Sequence, residues 1–413
     1  MELLHSILQK AISLGATDIH LAPDQLPVYR ISRVLNFDNS KNPLTKVTLE
    51  RILEYFYSVL PNLENTFTKK RQADFSYSFM EHRFRINVSL SKGVPTFSFR
   101  IISNKEIDVK SMDIRNIINK LKTINSGMIL VTGKVNSGKS TTMNAFIQEI
   151  NKEESKKIVM LEDPIEYVHK SEKSIIIQKE IGSEADVITY HDGLINLLRE
   201  DADIAVLGEI RDRKTMEVAI ELSESGGLVI GTLHTRSCGE TIERIINMYD
   251  PAEQMAIKNS LSTVLKMVVS QKLIVNLQGK LQMVPEVMIV NSTSAAQIRQ
   301  EKFNVADIED TIHALREIGC ISYESTFADL YLRGLVNMEM IRKYMDANRI
   351  DFIKNIILSS GAPILDDVVD NSGNNMNGSG FGNGYNNNYS NSYGMNGGYQ
   401  SQMQNRYNNN NNY

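Results

Sequence analysis

The chain has 413 residues, of which 42% are hydrophobic and 23% are charged, so it carries enough apolar material for two globular domains of roughly 100–200 residues each. Its formal net charge of −4 is small for this length, which excludes binding of nucleic acid or anionic lipid through overall charge alone. The two cysteines, Cys238 and Cys320, form no paired-thiol motif, so the sequence predicts neither a zinc site nor a disulfide framework.

The first residues of the chain lack the features of an export signal. They begin an amphipathic pattern and show neither the basic region nor the apolar stretch of a signal peptide. No apolar run approaches the roughly 20 residues that a bilayer-spanning helix needs. We therefore expect a cytoplasmic protein.

Residues 1–104 combine one helical pattern with short strands and turn signals. Residues 84–90 and 96–101 alternate apolar and polar side chains with period two, as half-buried antiparallel strands do. We predict a small α+β domain here. A charged stretch follows, and we place a linker at residues 105–115.

Residues 116–360 predict an α/β domain, because short apolar runs alternate with longer helical patterns. Three of the runs end in polar residues, which include Glu162, Glu209 and His234. Ligands of open α/β sheets bind beyond the carboxyl ends of the strands, so we expect these side chains to meet in one crevice. From residue 251 to about 357 the pattern predicts mainly helix.

Residues 371–413 differ from the rest of the chain in composition. They consist largely of Asn, Gly, Ser and Tyr, with almost no aliphatic side chains. Such a segment cannot bury enough apolar surface to offset the entropy of ordering it, so we predict a disordered tail. A passive tail and a role in weak self-association or docking both fit this composition.

Residues 133–140 match the phosphate-binding loop pattern G-x-x-x-x-G-K-[ST] between an apolar strand and a helix. The glycines let backbone N–H groups surround the phosphates of ATP, and Lys139 reaches the β- and γ-phosphates. Ser140 supplies an oxygen to Mg²⁺. The predicted cofactors are therefore ATP and Mg²⁺. The predicted nucleotide-binding residues are Gly133, Lys134, Val135, Asn136, Ser137, Gly138, Lys139, Ser140 and Thr141.

Three further residues are candidates for catalysis. Glu209 ends an apolar strand, where P-loop enzymes place a carboxylate near the attacking water. Glu162 also ends a strand and is predicted, with Ser140, to serve the metal or to orient water. His234 is placed to hydrogen-bond the γ-phosphate.

Phosphoryl transfer also calls for an arginine, because the transition state spreads negative charge that a guanidinium stabilises, often from a neighbouring subunit. The sequence does not choose among the candidates. They are Arg83, Arg85, Arg100, Arg199, Arg211 and Arg213.

Four motifs in this order resemble those of the secretion-ATPase superfamily: the P-loop, an acidic box at 162–169, a Walker B region at 198–212 and a histidine box at 227–235. Within it the chain is most similar to the PilT-type motor ATPases of type IV pili. The resemblance covers nearly all of residues 1–348. It implies a PAS-like domain, a RecA-like ATPase domain and a homo-hexamer with ATP between subunits.

The resemblance also implies the roles of the site residues and the partners. Glu209 would be the general base, Glu162 would assist at the metal or water, and His234 would sense the γ-phosphate. The motor would drive pilus retraction, in twitching or gliding motility, from the cytoplasmic face of the membrane at the pilus base. It would act on the inner-membrane platform protein of the pilus machine. Retraction is favoured over assembly because the sequence lacks a further N-terminal domain and a four-cysteine motif.

Two stretches depart from the family pattern. The P-loop carries Lys134, Val135 and Asn136 where the family prefers Pro, Thr and Gly, which predicts altered nucleotide affinity. Residues 293–300 keep only the Ile-Arg core of the helix typical of retraction ATPases. A pilus-assembly or secretion ATPase and an ATP-binding regulatory subunit of another motor therefore stay open. The acidic charge balance disfavours a third alternative, a RecA-like nucleic-acid translocase.

Overall fold

The computed structural model of the chain describes residues 2–102, 106–109, 112, 114–182 and 185–364. The predicted linker lies partly outside the described residues. The predicted tail at 371–413 lies wholly outside them.

The first part of the chain forms a six-stranded antiparallel sheet in the order β3-β2-β1-β6-β5-β4. The alternation at 84–90 and 96–101 is confirmed as the paired strands β5 and β6, whose phenylalanines Phe84, Phe97 and Phe99 are buried. The strands are β1 (Asp18–Leu21), β2 (Val28–Ile31), β3 (Val34–Phe37), β4 (Gln72–Phe79), β5 (His82–Ser91) and β6 (Val94–Ile101).

Three helices cover this sheet, namely α1 (Glu2–Ser13), α2 (Lys46–Val59) and α3 (Leu63–Lys70). Apolar side chains at helical spacing on α1 and α2, such as Leu4, Leu8 and Phe56, pack on the inward residues of the strands. Helix α2 begins where the hydroxyl of Thr45 accepts a hydrogen bond from the backbone N–H of Thr48.

The second sheet has seven strands in the order β13-β12-β7-β11-β10-β8-β9, all parallel except β13. Strands β7 and β11 are buried along their whole length, as expected for parallel strands covered on both faces. The strands are β7 (Gly127–Thr132), β8 (Lys157–Glu162), β9 (Ile175–Glu180), β10 (Ile204–Leu207), β11 (Leu228–Leu233), β12 (Leu265–Val275) and β13 (Leu281–Ile289).

Among the described residues, helices pack on the two faces of this sheet in two cores, and the last three helices form a further core with Ile274 of β12 and Val284 of β13. Successive residues of β7 face opposite cores, since Met128 and Leu130 contact one and Ile129 and Val131 contact the other. The helices are α4 (Arg115–Leu121), α5 (Lys139–Glu153), α6 (Tyr190–Leu197), α7 (Arg213–Glu224), α8 (Cys238–Ile246), α9 (Gln254–Val264), α10 (Ser292–Ile298), α11 (Val305–Ala314), α12 (Tyr323–Leu332), α13 (Met338–Arg342) and α14 (Ala347–Ser359).

The prediction of mainly helix from 251 to 357 is wrong for residues 265–289. These residues form the antiparallel pair β12 and β13, and β12 adds in parallel to β7. The reason is that a short run rich in valine and isoleucine pairs with the buried strand β7. The helical pattern of the flanking sequence gives no sign of this pairing. In the part of the chain that the structure describes, no helix is both long and apolar enough to cross a bilayer.

Candidate functional site

The register of the parallel strands places the predicted site residues at one edge of the sheet. Leu233 of β11 is opposite Thr132 of β7, and Leu207 of β10 is opposite Leu161 of β8. The segments that follow these four strands therefore emerge side by side. The strand ends therefore lie together as expected, and the side chains of Glu209 and His234 contact each other there.

The P-loop connects β7 to α5 and depends on its two glycines. A Cβ atom on Gly133 would lie 2.4 Å from Ser137 Oγ and 2.5 Å from the carbonyl oxygen of Gln271, so a larger residue does not fit. Gly138, with φ of 87°, precedes α5 in the left-handed region. Asn136 has φ of 63°, a conformation that asparagine tolerates better than most residues. Val135 is exposed.

Lys139, Ser140 and Thr141 form the first turn of α5, and no side chain caps this helix. The Lys139 ammonium donates to the carbonyl oxygens of Gly133 at 3.0 Å and Lys134 at 3.1 Å. Burial lowers the pKa of Lys139, and the carboxylates of Glu209 and Glu166 oppose this shift. The Lys139 ammonium and the uncapped N-terminus of α5 both offer N–H donors, which are suited to hold phosphate oxygens.

His234 connects Lys139 to Glu209. Its Nδ1 lies 3.3 Å from Lys139 Nζ, and its Nε2 lies 3.2 Å from Glu209 Oε1. An ammonium can only donate, so Nδ1 is the acceptor and the Nε2–H donates to the carboxylate. One neutral imidazole tautomer thus joins the P-loop lysine to the strand-end acid.

Glu209 is held on its other oxygen by Arg211, whose Nη2 lies 2.8 Å from Oε2. Burial raises the pKa of Glu209, but the hydrogen bonds from Arg211 and His234 outweigh burial and bring it below its usual value. Glu209 is therefore ionised at neutral pH and able to accept a proton.

Glu162, at the end of β8, has a different environment. It is 3% exposed, and burial raises its pKa to about 7. Its Oε1 accepts a hydrogen bond of 2.8 Å from Gln178 Nε2. Among the described residues, no direct contact joins Glu162 to Lys139, His234 or Glu209, so Glu162 stands apart from the three side chains that contact one another.

Four of the six candidate arginines contact acids of the same chain. Arg83 contacts Glu180, Arg100 contacts Asp18, Arg211 contacts Glu209, and Arg213 contacts Glu217 and Glu253. Arg85 and Arg199 are exposed and have no acidic partner within the described ranges. Arg85 lines a cavity of about 250 Å³ that also contacts Asp163 and Glu180.

Gln271 of β12 contributes to the site but was not predicted. Its Nε2 donates to the carbonyl oxygen of Ser137 at 2.7 Å, which holds the middle of the P-loop. Gln271 Oε1 and Ser137 Oγ are buried without a partner in the described part of the chain. The contact spans 134 positions, so no local signal points to it.

The fold and the site define a P-loop ATPase. The chain belongs to the family described as "Type II/IV secretion system protein", whose model matches residues 1–330. It is 30% identical over 331 residues to "Type IV pilus retractation ATPase PilT" of Pseudomonas aeruginosa, covering 80% of this chain and 94% of that protein. A "Twitching motility protein" of Neisseria gonorrhoeae is 32% identical over 66% of this chain and 72% of its own length.

A solved structure supports the same conclusion. The crystal structure of the pilus retraction motor PilT with bound ADP is 32% identical, with a TM-score of 0.73 over 84% of this chain and 98% of that chain. The predicted fold class, the resemblance to PilT-type ATPases and the assignment as an ATPase are thereby confirmed. The roles of individual site residues and the domain boundaries stay predictions.

Proposed function

We propose that this chain is a homo-hexameric motor that hydrolyses ATP to drive type IV pilus retraction. Its similarity to proteins described as pilus retraction ATPases supports the biological role. The observation that carries the chemistry is the bridge from Lys139 through His234 to Glu209, with contacts of 3.3 and 3.2 Å. It links the phosphate-binding lysine to an ionised carboxylate.

In the proposed reaction, water attacks the terminal phosphorus of ATP and the bond to the bridging oxygen of ADP breaks. Glu209 takes the proton of the attacking water, and the products are ADP and inorganic phosphate. Both carboxylate oxygens of Glu209 have partners, so the attacking water must replace one of these partners. Arg211 is the partner that exchanges at little cost, because its side chain is 63% exposed.

The phosphates would be held by the P-loop. Lys139 would exchange its bonds to the carbonyls of Gly133 and Lys134 for β- and γ-phosphate oxygens. Ser140 and Glu162 offer the hydroxyl and carboxylate oxygens that Mg²⁺ prefers, and Mg²⁺ would neutralise charge on the phosphates. A pKa of about 7 leaves Glu162 ready to ionise beside a cation.

We assign the arginine from the neighbouring subunit to Arg85 and Arg100. They are directly opposite each other on β5 and β6. Like charges in such a pair repel, so a bound anion would stabilise them. Arg85 lacks an acidic partner among the described residues, and the Arg100 side chain is 68% exposed beside Asp18. Both guanidinium groups are thus available to the γ-phosphate of an adjacent subunit.

The proposed partner is the inner-membrane platform protein of the pilus machine, and the proposed location is the cytoplasmic face of the membrane at the pilus base. The net charge of −4 supports a protein partner rather than nucleic acid. ATPase activity that does not change on addition of DNA or RNA is the expected result.

The first test is steady-state ATP hydrolysis by the purified chain beside Lys139→Ala and Glu209→Gln, with oligomer mass measured in ATP. We expect turnover by a hexamer and loss of turnover in both variants. A wild-type chain that binds ATP without hydrolysing it would instead be a regulatory subunit of another motor. The unusual P-loop centre at 134–136 is the feature that motivates this alternative.

The direction of the motor is tested in a strain that lacks the gene. Loss of a retraction motor should leave surface pili in place and abolish twitching. If the strain carries no pili, the chain is an assembly motor. A strain with normal pili and normal twitching would contradict both roles.

A further inference from the structure

The backbone just after His234 is held by two side chains from outside the four sequence motifs. The hydroxyl of Tyr323 donates to the carbonyl oxygen of Arg236 at 3.1 Å. The backbone N–H of Cys238 donates to Glu286 Oε2 at 2.6 Å. Residues 236–238 are therefore fixed at both ends by groups on α12 and β13.

These two side chains belong to one buried polar cluster. Tyr323 is completely buried and Glu286 is 2% exposed. Ser270 Oγ lies 2.9 Å from the Tyr323 hydroxyl, and Lys272 Nζ lies 2.9 Å from the centroid of its ring. Burying so many polar groups costs free energy unless each has a partner, so the cluster tolerates few alternative geometries. The backbone that it contacts is correspondingly constrained.

Strand β12 joins this cluster to the P-loop. Three consecutive residues act in turn: Ser270 contacts the Tyr323 hydroxyl, Gln271 donates to the Ser137 carbonyl oxygen, and Lys272 covers the Tyr323 ring. The same strand thus supports the loop that carries Lys139 and the segment that follows His234.

We propose that Tyr323 is a positioning residue for His234, with Glu286 as a second support. The proposal rests on the catalytic role proposed for His234. The imidazole must reach Lys139 and Glu209 at once, so a small shift of its backbone breaks at least one contact. Tyr323 touches none of the reacting groups and acts through the carbonyl oxygen of Arg236.

The test is ATP hydrolysis by the full chain carrying Tyr323→Phe, which removes the hydroxyl and keeps the ring. We expect kcat to fall by about tenfold, because small displacements of catalytic groups have effects of this size or larger. KM for ATP should stay within about twofold, since the P-loop contacts are unchanged. Tyr249→Phe is the matched control. Tyr249 is also buried, and its hydroxyl has no partner in the described part of the chain, so kcat should not change.

A double-mutant cycle with His234→Ala separates positioning from general support of the fold. If Tyr323 acts through His234, Tyr323→Phe has no further effect on kcat once the imidazole is absent. An equal fall of kcat in both backgrounds would overturn the proposal, as would wild-type kcat in the single variant. A His234→Ala enzyme with normal kcat would instead refute the role of His234 itself, and the positioning role with it.

Glu286→Gln provides a second route if Tyr323→Phe does not assemble. It keeps the size of the side chain but leaves one acceptor oxygen facing the Cys238 N–H where the carboxyl group has two. We expect Glu286→Gln to lower kcat in the wild-type background and to cause no further decrease of kcat in the His234→Ala background. An effect that persists there would overturn the proposal.

Discussion

Arg83 of the antiparallel sheet and Glu180 of the parallel sheet form a two-bond contact, with Nε and Nη2 at 3.2 and 3.0 Å from Oε2. Ser76 donates to the other oxygen of Glu180. Glu180 is 6% exposed, so these donors take the place of water around its carboxyl group. Strands β4 and β5 are thereby tied to the end of β9.

Arg83→Met should lower the free energy of unfolding by about 2 kcal/mol, because it leaves a buried carboxylate without its charged partner. Arg100→Met offers a matched control. The Arg100 side chain is 68% exposed, and its partner Asp18 also lies 3.8 Å from Arg30, so the loss should be about 0.5 kcal/mol. Urea denaturation measures both. Equal losses would contradict the assignment of a structural role to the buried pair.

Glu162 should make the stability of the nucleotide-free protein depend on pH. In the folded protein the carboxyl group of Glu162 keeps its proton up to about pH 7. In the unfolded chain it loses the proton near the ordinary pKa of 4.5. The folded state binds more protons in this window, so stability falls as pH rises through it. The full decrease in the free energy of unfolding, reached above pH 7, is about 3 kcal/mol.

Glu162→Gln removes this effect, so the variant should gain stability over the wild type between pH 5 and 8. Urea unfolding across that range gives the difference at each pH. Glu172→Gln, a change at an exposed position, should keep the wild-type slope. A constant difference between Glu162→Gln and the wild type would show that the carboxyl does not titrate in this window.

Lys139→Met should abolish the stabilisation of the protein by ATP without lowering the stability of the nucleotide-free chain. The buried ammonium carries a desolvation cost that methionine does not. At an ATP concentration of about 100 Kd the wild type should gain about 2.7 kcal/mol. The shift of Tm on addition of Mg²⁺ and ATP measures this gain in stability.

Lys134→Met is the control for this experiment, since Lys134 lies in the same loop but is exposed. It should keep most of the Tm shift. If Lys134→Met and Lys139→Met lose the shift equally, general charge of the loop rather than the Lys139 ammonium holds the phosphates.

Arg85→Ala should lower kcat by at least about 100-fold while ATP still binds, because an arginine supplied across a subunit boundary acts on the transition state. Arg199→Ala should have little effect, since Arg199 is the other exposed member of the six candidate arginines without an acidic partner among the described residues. Mixing Arg85→Ala subunits with Lys139→Ala subunits should restore part of the turnover. No recovery in mixed rings would contradict action in trans.

The geometry of the candidate phosphate site could be predicted in outline from sequence because its signals are local. Gly133, Gly138 and Lys139 lie within seven consecutive residues, and Glu209 and His234 each follow a short apolar run. Once the runs are recognised as parallel strands, their carboxyl ends must share an edge. That rule places His234 and Glu209 near Lys139, whereas their individual side-chain contacts are findings of the structure.

The supports of the site could not be predicted in this way. Gln271, Glu286 and Tyr323 contact the site across long sequence separations, and two of them lie in strands that the helical pattern concealed. Side-chain partners such as Arg211 for Glu209 also depend on rotamers that no periodicity records. Tertiary packing, not local propensity, determines these contacts.

The position of β12 in the chain has a consequence for synthesis on the ribosome. By residue 235 all four motifs have been made, but β12 has not. This strand is one of the two that pair with β7, and it carries Gln271, which holds the Ser137 carbonyl. Long-range strand pairing is slow, and domains of this size fold as units. The nascent chain therefore carries a P-loop that is complete in sequence before it is complete in structure, and it becomes a nucleotide site only after the β12–β13 hairpin has emerged.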